Sequence, residues 1–115
     1  MSLVIYHNPR CSKSRQTLAL IEEKGVQVET IKYLDDTPSA SELATLVKKL
    51  GFNSARELMR TKEDIYKELD LKNETDEQAL LNAMHQNPKL IERPIVVKGD
   101  KAVLGRPPEN ALELI

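Results

Sequence analysis

The sequence contains one cysteine, no tryptophan, one phenylalanine and three tyrosines. A single cysteine cannot close an internal disulfide, so the fold must stand on its core alone. That core must be aliphatic, because the large aromatic side chains that dominate many cores are nearly missing. Histidine is equally sparse. His7 and His85, with Cys11, do not have the spacing of a zinc site, so no metal is expected. No apolar run approaches the length of a membrane span. The opening stretch, Met1-Ser2-Leu3-Val4-Ile5-Tyr6, is too short and too quickly polar to read as a signal peptide. A free thiol in a chain of this kind points to a reducing, cytoplasmic setting.

What the chain does have is the composition of one globular domain. Its 115 residues are 40% hydrophobic and 30% charged, with a net charge of −1. Such a balance gives no general affinity for nucleic acid. The charge is uneven, though. Arg10, Lys13, Arg15 and Lys24 outnumber Glu22 and Glu23 in the first 25 residues, so the positive excess surrounds the only cysteine.

The apolar run Leu3-Val4-Ile5-Tyr6 ends at the turn signal Asn8-Pro9 and predicts a buried strand. Ser12 to Lys24 reads as a helix stopped by Gly25, and Val26 to Tyr33 as a second strand. Strand, helix and strand in so short a span form a βαβ unit with parallel strands. The middle differs in kind. Ser39-x-x-Glu42, Ser54-x-x-Glu57 and Thr75-x-x-Gln78 each match a capping box. Leu43, Leu46, Val47 and Leu50 give one helical face, 54–59 and 63–69 read as shorter helices, and Leu80, Leu81 and Met84 mark another. Residues 39–87 thus read as a helical insertion without strand signals. After it, Ile95-Val96-Val97 and Ala102-Val103-Leu104 flank Gly99-Asp100, a hairpin signal, and Pro107-Pro108 opens a last helix over 109–114. The expected fold class is α/β, with one mixed sheet of about four strands and helices around it, in a single domain over 1–115.

Cys11 lies between the first strand and the first helix. Backbone N–H groups at a helix start, with the helix dipole, stabilise a thiolate and lower its pKa. Arg10, Lys13 and Arg15 add positive charge, and His7 lies four residues before the thiol. Cys11 is therefore the candidate nucleophile. Two related chemistries are absent. Ser14 rules out C-x-x-C, and Thr17 stands where a C-x5-R phosphate loop needs arginine. An oxidised Cys11 must then be resolved by an external thiol. Arg60, Arg93 and Arg106 carry planar donor forks suited to oxyanions. From spacing alone, each reads as a solvated surface residue.

The segment Tyr6-His7-Asn8-Pro9-Arg10-Cys11-Ser12-Lys13-Ser14-Arg15 resembles the N-terminal signature of the glutaredoxin-dependent arsenate reductase family. Arg60 after Leu58-Met59, the stretch Ile91-Glu92-Arg93-Pro94-Ile95-Val96-Val97, and Gly105-Arg106-Pro107-Pro108-Glu109 resemble its other landmarks, in the same order along nearly the whole chain. The resemblance implies a thioredoxin-like fold with a helical insertion and no bound cofactor. It implies that Cys11 attacks arsenate, that glutathione joins as co-substrate, and that glutaredoxin reduces the mixed disulfide. Arg60, Arg93 and Arg106 would bind the substrate, His7 would favour the thiolate and Ser14 would lie near it. The Arg93–Pro94 bond would be cis. The family includes relatives whose substrate differs, and it borders on redox-sensing regulators that contact RNA polymerase. Those regulators often carry C-x-x-C, which this chain lacks.

Overall fold

A computed structural model of the chain describes residues 3–115. Met1 and Ser2, the start of the stretch judged too short for a signal peptide, lie outside the described residues. No helix among the described residues is long and apolar enough to cross a membrane. The chain divides into two compact units, one of Met1–Asp36 with Arg93–Ile115 and one of Thr37–Glu92.

The first unit is built on a four-stranded mixed sheet in the order β2-β1-β3-β4. Strand β1 is Leu3–His7, β2 Val28–Lys32, β3 Ile95–Lys98 and β4 Lys101–Leu104. β1 and β2 are parallel, with Leu3 opposite Val28 and His7 opposite Lys32. The crossover between them is helix α1, Ser12–Glu23, as the βαβ pattern requires. Gly25 follows α1 with φ of 73°, the left-handed conformation that ends helices and that glycine adopts without steric cost. β3 returns antiparallel to β1, pairing Val96 with Ile5, and turns back into β4 through Gly99-Asp100, with Gly99 at φ 60°.

Side chains alternate across a strand, so Leu3, Ile5 and His7 share one face of β1, and Val96 joins it through the pairing with Ile5. This face packs on α1 and on the C-terminal 3-10 helix, Pro108–Leu114. Leu3, Ile5, Ile21, Val96, Ala111 and Leu114 form its core, edged by Leu18, Val26, Val28 and Val103. Each fully buried aliphatic side chain there contributes about 1.5–3 kcal/mol relative to exposure. The same face carries His7 into the interior at the end of β1 that leads to Cys11.

The second unit is helical. Helix α2, Ala40–Lys49, is capped by Ser39 in both directions of a capping box, and buries Leu43, Leu46 and Val47. A second box, Ser54 with Glu57, starts a 3-10 turn, Ala55–Leu58. Helix α3, Asp64–Glu68, and a 3-10 turn, Leu71–Asn73, follow. Helix α4, Glu77–Gln86, packs against α2 and buries Leu80, Leu81, Ala83 and Met84. The third expected box does not form. Asp76, not Thr75, caps α4 by accepting from the Gln78 N–H, while the Thr75 N–H donates to the Glu74 carboxylate. Arg56 ties the short helices together. Its guanidinium donates to the Tyr66 hydroxyl and to the carbonyls of Leu71 and Glu74. An isolated antiparallel bridge pairs Met59, inside the segment read as helical, with Ile91 just beyond it.

Candidate active site

The chain leaves β1 at His7 and enters α1 at Ser12, and the four residues between them form a tight, internally bonded turn. The Asn8 side chain accepts from the Arg10 N–H at 3.0 Å, an Asx turn, and the Asn8 carbonyl accepts from the Cys11 N–H at 3.0 Å. Arg15 reaches back to the Pro9 carbonyl at 2.9 Å, so this arginine braces the turn. Ser14 is fully buried, and its hydroxyl accepts from the Asn8 N–H at 3.4 Å. Cys11 is the N-cap residue of α1, with extended backbone (φ −94°, ψ 124°), and its carbonyl accepts the first helical bond, from Arg15.

This placement leaves the sulfur facing the open N–H groups of the first helical turn. Burial alone pushes the Cys11 thiol up. The backbone N–H groups of Ser14 and Lys13 and the Arg93 guanidinium with its charge favour the thiolate and together outweigh burial, so the thiol lies below its ordinary value. Half-buried, Cys11 remains open to a substrate.

His7 is 5% exposed, and its Nδ1 is buried without a hydrogen-bond partner among the described residues. Burial pushes its pKa below the usual histidine value, and the charges of Lys32 and Arg15 push the same way. The imidazole is therefore neutral at pH 7.

Arg93 sits at a cis bond to Pro94, as the resemblance implied. A second cis bond, Arg106–Pro107, carries no sequence signal of its own. Besides favouring the Cys11 thiolate, Arg93 holds a buried Nε that has no partner among the described residues. A guanidinium with a spare, shielded donor is suited to a tetrahedral oxyanion at the sulfur. Arg106 belongs to the same unit and is exposed. Arg60 belongs to the helical unit. Its N–H donates to the Leu90 carbonyl at 2.7 Å, and its guanidinium pairs with Glu63 at 3.4 Å and Glu92 at 3.5 Å.

Of the six residues singled out in the sequence, the first unit thus places Cys11, His7, Ser14 and Arg93 around one turn. Sequence reasoning missed the backbone donor of Lys13 and the bracing role of Asn8. The Asn-Pro turn signal pointed to Asn8, but only as a strand end. No group of three or more potential metal ligands occurs among the described residues. A groove of about 520 Å³ along β2, lined by Glu22, Val26, Gln27, Val28 and Glu29, contains none of the candidate residues.

A mixed four-stranded sheet in this order, with a thiol at the start of α1 and a cis proline at the start of β3, defines a thioredoxin-like α/β protein. The ArsC family profile matches residues 6–114. A Haemophilus influenzae protein named arsenate reductase is 53% identical over 116 residues, covering 100% of both chains. An Escherichia coli protein described as uncharacterised, YfgD, is 59% identical over 112 residues, covering 96% of this chain and 94% of its own. The structure of an arsenate reductase from Vibrio cholerae superposes with a TM-score of 0.97 at 54% identity, covering 100% of this chain and 98% of that one. The chain belongs to the ArsC family.

Proposed function

We propose that the protein is an arsenate reductase that works through a covalent Cys11 adduct and takes its electrons from glutathione and glutaredoxin. The observation that carries this reading is the placement of Cys11 as the N-cap of α1, where the helix start and the Arg93 guanidinium both favour its thiolate. Those groups favour the thiolate, which is the nucleophilic form. The names of the relatives in Haemophilus influenzae and Vibrio cholerae support the substrate.

In the first step the thiolate attacks arsenic(V), forming a sulfur–arsenic bond, and an arsenate oxygen leaves as water after taking up a proton. Arg93 stabilises the negative oxygens of the adduct through the charge already placed at the sulfur. Arg106 and Arg60 enter as further oxyanion ligands on the strength of the resemblance. For Arg60 this means exchanging its contacts with Glu63 and Glu92 for the substrate. In the second step the glutathione thiolate attacks the Cys11 sulfur. The sulfur–arsenic electron pair goes to arsenic, which departs as arsenite, and a mixed disulfide remains. The chain has no second cysteine to resolve it, so glutaredoxin's thiol does so by exchange. A neutral His7 supports the thiolate as a hydrogen-bonding or proton-accepting group, not as a cation.

The test is a coupled assay with arsenate, glutathione, glutaredoxin, glutathione reductase and NADPH. Arsenate-dependent NADPH consumption is the expected result. A wild-type protein that consumes none would overturn the reading and favour a non-catalytic thiol switch. Turnover with thioredoxin in place of glutaredoxin would overturn only the choice of reductant.

A further inference from the structure

Thr17 lies on α1, six residues beyond Cys11, and is fully buried. Its Oγ1 stands 2.8 Å from the Lys13 carbonyl oxygen and 3.0 Å from the Gly105 carbonyl oxygen, the second contact linking residues 88 apart in sequence. Lys13 lies in the first turn of α1, and its N–H is one of the groups that favour the Cys11 thiolate. The residue that offers a donor to the thiolate is thus held at its carbonyl by Thr17.

Gly105 is held from the other side. Its N–H donates to the Pro94 carbonyl at 2.9 Å. A Cβ built on Gly105 would fall 2.8 Å from Pro94 Cγ, 2.8 Å from Thr17 Cγ2 and 2.9 Å from Thr17 Oγ1, closer than side-chain carbons come. Its φ is not among the positive values, so glycine is required here by the lack of room. Three segments therefore meet at one point. They are the first turns of α1 with the Lys13 and Ser14 donors, the Arg93–Pro94 turn with its guanidinium, and the segment that continues into Arg106.

We infer that Thr17 and Gly105 are positioning residues for the thiol site, locking the helix donors and the Arg93 turn at a fixed separation on the Cys11 sulfur. The inference rests on Cys11 being the nucleophile. It needs neither residue to touch substrate. The Thr17 hydroxyl spans α1 and the 105 segment, and the bare Gly105 backbone lets Pro94 close against both. Loosening either contact lets Arg93 drift from the helix start, and the sulfur then loses one of its two kinds of donor.

The experiment is the pH dependence of iodoacetamide alkylation of Cys11, which uses no arsenate. Thr17→Val keeps the shape and removes the hydroxyl. It should move the inflection upward by about half a unit, roughly a threefold loss of thiolate at fixed pH below it. Thr17→Ser keeps the hydroxyl and should restore the wild-type inflection. Gly105→Ala should shift the inflection the same way as Thr17→Val, and if that variant does not fold, the Thr17 pair still decides. A Thr17→Val protein with a lowered Tm but an unmoved inflection would overturn the inference, leaving a purely structural tie. A Thr17→Ser protein as shifted as Thr17→Val would also overturn it, since the hydroxyl would then not be the cause. Should wild type fail to reduce arsenate while these shifts occur, the reading of the activity falls and the positioning role stands.

Discussion

The Arg93 guanidinium acts on the Cys11 thiol and favours its thiolate, although 82 positions separate the two in sequence and Arg93 directly follows the helical unit. The contact joins charge and directionality at the thiolate. Hydrogen bonds to charged groups contribute about 1.5–3 kcal/mol, and each 1.4 kcal/mol is tenfold in rate. Arg93→Ala is therefore expected to lower kcat/KM for arsenate by about 10–100-fold. It should also raise the alkylation inflection of Cys11, because it removes a donor and a positive charge together. Arg93→Lys should recover part of the pH effect but little of the rate, since an ammonium lacks the planar fork.

Cys11→Ser should abolish arsenate-dependent turnover, because a hydroxyl is a far weaker nucleophile. The fold should survive, since the residue is half-buried at a helix start where serine is a favoured N-cap. Circular dichroism and a thermal melt beside the coupled assay separate the two effects.

His7 predicts a pH dependence of stability. Its pKa is lowered in the folded protein, chiefly by burial. Below the ordinary histidine value of about 6.5, the unfolded chain binds a proton that the folded one resists. Stability is therefore complete above that value and falls as pH drops towards the folded pKa. Urea midpoints measured between pH 7.5 and 5 should show the decline, and His7→Gln should flatten it. A wild-type midpoint that stays level over this range would mean that His7 gains its proton without cost.

Arg56 predicts stability in the helical unit. Its guanidinium is the partner of the Tyr66 hydroxyl and of the Leu71 and Glu74 carbonyls. Arg56→Ala strands those groups in a partly buried setting, where each unsatisfied one costs about 1–3 kcal/mol. A lower midpoint in chemical denaturation is expected, with Cys11 alkylation kinetics unchanged at pH 7.

Much of this molecule could be read from its sequence where the signal was local. The βαβ start, the Gly99-Asp100 hairpin and the Ser39 and Ser54 capping boxes all rest on interactions within a few residues. Thr75 failed because two adjacent residues could both cap, and the choice fell to Asp76 once Glu74 had taken the Thr75 N–H. The site was only half legible. A thiol at a helix start announces a lowered pKa, but which arginine meets the sulfur depends on Arg93 being brought 82 positions back along the chain. Spacing alone marked Arg93 as a surface residue, and only the resemblance promoted it. Arg60 carried a visible partner in Glu63, three residues on, whereas Glu92 reaches it through the Met59–Ile91 bridge that no pattern announced. Thr17 entered the sequence argument solely as the residue that was not arginine. Its contact with Gly105 is long-range and has no local trace.

The order β2-β1-β3-β4 leaves β2 as one margin of the sheet, and this margin is populated by Glu29, Thr30 and Lys32. Strands at a margin can template pairing between molecules, and charged side chains on them, here Glu29 and Lys32, discourage it. The price of a small sheet is thus met by its outermost strand, whose charged residues serve colloidal behaviour while the reactive turn follows the C-terminal end of β1. Glu29→Val with Thr30→Val would turn a dispersed protein into one that self-associates through its rim.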